Sequence, residues 1–418
     1  MLEKKYKILL IAYACEPNKG SEPGVGWNIA IELSKYFDVT VITRTNNKNN
    51  IEKEIINKNI KFLYIDLPII FLYLKKYLGI QIYYIIWQIF TIMKLFKYKL
   101  KYDLIYLITL GNLFYINLFP FFFKPFIWGP LGFGYNAPIK YWKYYSKKGK
   151  INEIFRIIIK YINRINPILY FTIRNTAKIF AVSPITENYI KKLYKKANVK
   201  ILSQTGINLK NFELLNKQNS KINDQLKFIK NNDEFIILMT GRLVHWKGFS
   251  IGILAFYKFI QKVNNTKLLI IGNGPELSYL NKLINRLRIS EYVILYPEVA
   301  YETYIEILKL SDLFIYPSLH EPGSFVLLEA ICAKKNIICF RYGEPDTIVV
   351  DNMGIKIQVG ESIDQFATSI YIIYEKLKHN TNIYSYNFDI YKLYSWENKV
   401  LFIKKEIEEA INENTPGS

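Results

Sequence analysis

Cysteine is scarce in this chain, and acid is scarce in its first half. Only Cys15, Cys332 and Cys339 are present, at no metal-ligand spacing. That excludes a cysteine-built metal site and fits reduced thiols in a cytosolic protein. Within residues 67–98 the longest uncharged piece, Tyr77 to Met93, has 17 residues and includes Gly79, two Gln and a Thr. A spanning helix needs about 20 apolar residues, so this stretch reads as a buried or interfacial helix. The opening, MLEKKYKILLIAYAC, places basic residues before an apolar run as a signal peptide does. The run is short and leads directly into a folded motif, so it reads as a first β-strand.

The acid deficit has a location. Residues 1–207 hold 32 Lys+Arg against 11 Asp+Glu, and residues 208–418 hold 24 of each. The whole net charge of +21 therefore falls in the first half. A solvated basic surface accounts for it, as does contact with an anionic membrane or a lipid-linked phosphate. Nucleic acid is the weaker reading, since no nucleic-acid motif accompanies the charge. With 418 residues, half of them apolar, and 34 Tyr and 27 Phe, the chain has material for two cores.

The order of elements points to α/β architecture. YKILLIAYA, DVTVITR, DLIYLI, PFIWG and KIFAVS read as strands, with the helical spacing of WNIAIELSKYF between the first two. A strand–helix–strand unit of this kind implies a parallel sheet. The segment EIFRIIIKYINRINPILYFTIRN reads as a basic amphipathic helix whose ordinary place is against a core, although such helices also lie on anionic membranes. A polar, Asn/Lys-rich stretch begins near residues 206–212 and reads as a linker. Strands and helices then alternate again, from FIILMTG through KLLIIGNG, YVILYP and DLFIYPS to NIICFRY. The expected domains are 1–207 and 208–394, with a last helix, 395–418, packing back on the first.

Three motifs carry chemistry. In SLHEPGSFVLLEA, Glu321 follows a strand end, where open parallel sheets bind ligands. A helix starting near Ser324, with Gly323, Phe325 and Val326, offers free amides and a positive dipole end to phosphate. Glu329, further along that helix, suits the two hydroxyls of a ribose, and Glu321 suits a sugar hydroxyl or developing positive charge. In MTGRLVHWKG, Arg242 and Lys247 can neutralise a diphosphate leaving group, one as a fork and the other as a point charge. His245 between them reads as a loop contact, not a base. In GSEPGVGW, Gly24, Val25 and Gly26 read as a loop entering a helix, open to close backbone approach. GNGPE at 272–276 reads as a strand-to-helix turn.

These segments resemble the retaining glycosyltransferases of family 4, of bacterial cell-envelope type. SLHEPGSFVLLEA, GRLVHWKG, GNGP and DLFIYPS are similar to their C-terminal domain, and AYACEPNKGSEPGVGW with PFIWGPLGFG to the N-terminal domain of a bacterial subgroup. The resemblance covers nearly the whole chain. It implies the GT-B fold, two Rossmann-like doubly wound domains facing a cleft that holds a nucleotide diphosphate-sugar. It implies that Glu321 meets the donor sugar and Glu329 the ribose, that Arg242 and Lys247 hold the diphosphate with the Gly24–Gly26 loop closing on it, and that Glu298 and Val299 flank the base. It also implies catalysis without metal or other cofactor, on one sugar face, with the leaving phosphate taking the acceptor proton. The chain has no Asp-x-Asp pair. It departs from the family at Tyr106 and Leu107, where relatives carry histidine beside the donor sugar. Ser324 stands where glycine is usual, and a serine there can cap the helix.

The expected acceptor is a glycan or a lipid-linked sugar at the cytoplasmic membrane face, with an anionic membrane surface as partner and no nucleic acid. A nucleotide-sugar epimerase or phosphorylase on the same scaffold is the competing enzyme reading, and a non-catalytic basic binding protein the competing non-enzyme one.

Overall fold

Strands form where the chain is continuously apolar, as buried parallel strands require. The computed structural model describes residues 5–54, 60–113, 115–217, 234–320, 323–379 and 389–413. It comprises two compact units: Met1–Gly134 with Ile158–Gly206 and Tyr394–Ser418, and Tyr135–Ile157 with Ile207–Leu393.

The first unit holds β1 (Lys7–Ile11), β2 (Asp38–Thr43), β3 (Ile60–Tyr64), β4 (Leu104–Leu107), β5 (Phe126–Leu131), β6 (Lys178–Ala181) and β7 (Val199–Ile201). They form one parallel sheet ordered β3-β2-β1-β4-β5-β6-β7. The second holds β8 (Phe235–Thr240), β9 (Thr266–Ile271), β10 (Val293–Tyr296), β11 (Leu313–Tyr316), β12 (Asn336–Arg341) and β13 (Gly354–Gln358). These too are all parallel, ordered β10-β9-β8-β11-β12-β13. In both sheets the chain order reverses beside the first strand, between β1 and β4 and between β8 and β11. Ligands of open α/β sheets bind at the C-terminal strand ends of such a reversal.

Three strands escape the sequence reading: β3, β7 and β13. All are sheet edges, and each carries a lysine, Lys61, Lys200 or Lys356. A charge within a short edge strand discourages pairing with another chain and also hides the strand from an apolar scan.

The first unit is closed by the C-terminal helix Trp396–Asn412, which packs on helix Ser21–Leu33. Lys178 of β6 is buried and places Nζ 2.7 Å from Glu406, with Glu409 as a second partner. These carboxylates hold the lysine pKa above its ordinary value, although burial alone would lower it. Trp396 lies against Gly206 so closely that a β-carbon there would sit 2.6 Å from the indole.

Residues 135–157, which the sequence division assigns to the first domain, pack within the second unit. Tyr141 donates to the Glu361 carbonyl at 2.7 Å and accepts from the Gly360 amide. Tyr342 donates to the Asn136 carbonyl and accepts from its amide, and Tyr279 donates to the Tyr144 carbonyl. Counted by unit, the net charge becomes +14 for the first and +7 for the second. The excess is thus shared, because six Lys and Arg residues travel with this segment.

Helix Ile69–Tyr98 is broken at Gly79, where φ is 78°. The part from Gly79 to Tyr98 is long and apolar enough to cross a membrane. It instead buries Tyr83, Tyr84, Trp87, Ile92 and Leu95 in the core of the first unit. Helix Lys147–Arg164 overturns the core-facing expectation for its segment. It buries Glu153 and Asn163 and turns Ile151, Ile154, Ile158 and Ile162 outward.

Candidate functional site

Strand order decides which motifs meet in the second unit. The Arg242–Lys247 loop follows β8, Glu298 and Val299 follow β10, and the Gly323–Glu329 segment follows β11. All leave the C-terminal edge of one parallel sheet. Glu321 lies outside the described residues.

Close backbone approach shapes the cation loop. Gly248 has φ 72°, and a β-carbon there would sit 2.0 Å from the Pro317 carbonyl oxygen. Only glycine lets the β8 and β11 loops pack this tightly and also begins helix Phe249–Ile260. Gly272 plays the same part on the other side, against the Gly241 carbonyl. The GNGPE segment is therefore a packing surface for the cation loop.

Within that loop Arg242 is exposed. Lys247 is half-buried and donates from Nζ to the Tyr316 hydroxyl at 2.9 Å, 5.0 Å from the ring centroid. The ammonium is thus tied to the end of β11. His245 is buried, with Nε2 3.0 Å from Glu153 Oε1. Arg156 lies 3.6 Å from the same carboxylate oxygen and over the Trp246 ring. This polar stack fixes the loop from below and makes His245 a positioning contact.

At the start of helix Phe325–Cys332 the structure corrects one expectation. Ser324 does not cap with its side chain, because its ψ of 52° departs from the extended backbone of ordinary caps. Its Oγ is buried without a hydrogen-bond partner. Its amide donates instead to Glu344 Oε2 at 2.7 Å, and Glu344 is fully buried. An internal carboxylate therefore meets one of the helix-start donors expected to face phosphate. Gly323, Phe325 and Val326 are half-buried around it.

Glu329 is the most perturbed acid of this edge. It keeps a partial opening to solvent, yet burial pushes its pKa up to about 7, while the Tyr304 and Tyr301 hydroxyls oppose the rise. Both phenols come from helix Tyr301–Leu310, Tyr304 buried and Tyr301 half-buried, and their buried hydroxyls close no hydrogen bond of regular geometry. A carboxyl so poised can accept further hydrogen bonds, and the two hydroxyls of a ribose are donors of that kind. Glu298 is exposed and Val299 half-buried just ahead of that helix.

Sequence reasoning missed four residues here: Tyr301, Tyr304, Glu344 and His320. His320 is buried with an unpartnered Nδ1, and its ring lies 5.2 Å from Tyr135 and 6.2 Å from Trp246. Its place directly before Glu321 in SLHEPGS was the available signal. Nothing in YETYIEILK marks the two tyrosines, since they face Glu329 only once β10 and β11 lie in one sheet.

In the first unit Gly24, Val25 and Gly26 are not a loop. They lie inside helix Ser21–Leu33 and are buried. A β-carbon on Gly26 would sit 2.3 Å from the Ala14 carbonyl oxygen, so the close approach expected of a ligand is made by the chain itself. Tyr106 and Leu107 are buried in β4, Tyr106 edge-on to Phe180 with its hydroxyl unpartnered.

Residues 220–388 match the family model for glycosyl transferases group 1. An uncharacterized glycosyltransferase of Methanocaldococcus jannaschii is 25% identical over 241 residues, which cover 55% of this chain and 59% of that protein. The chain thus spans about three-fifths of that curated relative's length. Sucrose-phosphate synthase of Thermosynechococcus elongatus superposes with TM-score 0.69 at 15% identity, covering 98% of this chain and 100% of that one. HepE of Anabaena, solved with UDP-glucose, superposes with TM-score 0.61 at 17% identity over the same shares. The fold is GT-B.

Proposed function

We propose that this chain is a glycosyltransferase that moves a sugar from a nucleotide diphosphate donor to a glycan or lipid-linked acceptor, retaining the anomeric configuration. The observation that carries the reading is Glu329, a carboxyl raised by burial beside the Tyr301 and Tyr304 hydroxyls, on the sheet edge that also bears Arg242 and Lys247. In this reading Glu329 accepts from both ribose hydroxyls. Glu298 and Val299 flank the base. Arg242 and Lys247 take up charge on the diphosphate as the bond to the sugar breaks. Glu321 meets the sugar, by its place in the motif. The acceptor oxygen forms the new bond on the face the diphosphate leaves, and its proton passes to a departing phosphate oxygen. Charge stabilisation by two cations makes a metal unnecessary, and the working compartment is the cytoplasm.

A thermal-shift screen of nucleotide sugars, UDP-glucose first, tests the donor. Ligand at 100 times its Kd raises stability by about 2.7 kcal/mol. Release of free nucleotide diphosphate only in the presence of acceptor, and unaffected by chelator, separates transfer from epimerase or phosphorylase chemistry. Unchanged transfer in both Glu329→Ala and Arg242→Ala would defeat the site assignment.

A further inference from the structure

We infer that residues 158–174 of the first unit form a surface that seats on the face of an anionic lipid bilayer, lying in the interface without crossing it. The segment runs through the end of helix Lys147–Arg164 into helix Pro167–Arg174, which Asn166 caps. The second helix anchors the segment through Leu169 and Ile173 in the core of the unit, but elsewhere polar groups are buried and large apolar ones exposed. Asn163 is buried and donates to the Leu113 carbonyl, and Thr172 is buried and donates to the Asn117 carbonyl. Six large apolar side chains point outward instead: Ile158 47% exposed, Tyr161 61%, Ile162 53%, Ile165 83%, Ile168 40% and Phe171 44%. The spacing of the first four follows one helical face. A contiguous apolar patch kept in water marks an interaction surface.

Charge selects the occupant. Residues 158–200 carry nine Lys and Arg against a single acid, Glu187, which pairs with Lys191 at 2.6 Å. Of the nine, Lys178 is spent inside the unit. Arg164 lies over the Tyr161 ring at 5.2 Å, and Tyr170 meets Tyr194 edge-on at 5.6 Å, bringing the exposed Lys195 and Lys196 towards the second helix. Burial lowers the pKa of Lys160, and Arg164 and Lys192 add to the effect, which shows how closely these cations gather. A second copy of a unit with net charge +14 is repelled by such a surface. An anionic lipid face satisfies both the apolar stripe and its basic border. Pro167 and the basic residues exclude a spanning helix here. This deepens the proposed reading by naming the partner surface for a lipid-linked acceptor, but the binding itself does not require transfer.

The test is flotation of the full chain with vesicles of phosphatidylcholine alone and of phosphatidylcholine mixed with phosphatidylglycerol, at low and high salt. The chain should float with the mixed vesicles, most strongly at low salt. A triple variant, Ile158→Ser, Tyr161→Ser and Ile165→Ser, should lose partitioning by about tenfold or more, with its circular dichroism and its thermal shift with UDP-glucose unchanged. The pair Arg164→Glu and Lys192→Glu should lose the salt-sensitive part. Failure of the parent chain to float with mixed vesicles, or equal flotation of the triple variant, would overturn the inference. So would a parent dimer that the triple variant converts to a monomer. Loss of flotation with the UDP-glucose shift intact leaves the transfer reading standing, and the reverse leaves this one.

Discussion

The first unit is closed by a buried ion pair, Lys178 with Glu406, whereas the second is closed by tyrosine hydroxyls that hold residues 135–157 through backbone groups. A buried charge is secure only while its partner remains, because the desolvation cost is never recovered by water. A phenol carries no such liability, and its loss removes a hydrogen bond or two. The two units also use their sheet edges differently. In the second, glycines bring loops together beneath exposed or perturbed polar groups. In the first, Gly26 lets a helix press on the chain's own backbone.

The contrast is sharpest at Lys178. Lys178→Met should destabilise the first unit by about 3 kcal/mol, since Glu406 is left buried with only Lys200, 3.9 Å from its other oxygen, to compensate it. Equilibrium urea unfolding checks this, and Lys178→Met with Glu406→Leu should recover most of the loss. If the single variant unfolds at the parent midpoint, the ion pair is not what closes the unit.

Glu329 tests the second unit through pH. Its folded pKa of about 7 exceeds the ordinary 4.5, so the folded state binds the proton more tightly than the unfolded one. Stability is therefore greatest below pH 4.5 as far as this group is concerned, and it falls by up to about 3 kcal/mol as pH rises to 7. Glu329→Gln should remove that fall, as thermal melts from pH 5 to 8 would reveal. Nucleotide binding should weaken below pH 7 in the parent chain alone, because the ribose hydroxyls need the ionised acceptor.

The smallest effect is expected at Tyr141. Tyr141→Phe removes its bonds to Glu361 and Gly360 and should cost about 1–2 kcal/mol. Faster hydrogen exchange confined to residues 135–157 and their partners is the expected readout. A global loss as large as that of Lys178→Met would erase the distinction between the two closures.

Much of the fold was legible because buried parallel strands are written as apolar runs. FIILMT, LFIY and LIYL could be read directly, whereas IKFLY, VKI and GIKIQ could not, since edge strands carry lysine against unwanted pairing. Arg242, Lys247 and Glu329 were legible because strand-end motifs are local. Tyr301 and Tyr304 were not, since their role depends on a neighbouring strand. Periodicity showed that helix Lys147–Arg164 has an apolar face but not which way it faces.

The sequence by itself determined the two parallel sheets, the sheet edge that bears the charged motifs, and the GT-B resemblance. Local apolar runs and turn chemistry suffice for these. Tertiary structure alone decided that residues 135–157 pack with the second unit, that Gly24 and Gly26 serve internal packing, that Glu344 takes the Ser324 amide, and that an isoleucine face looks outward. Each of these depends on which distant groups burial brings together, and spacing along the chain carries no record of that.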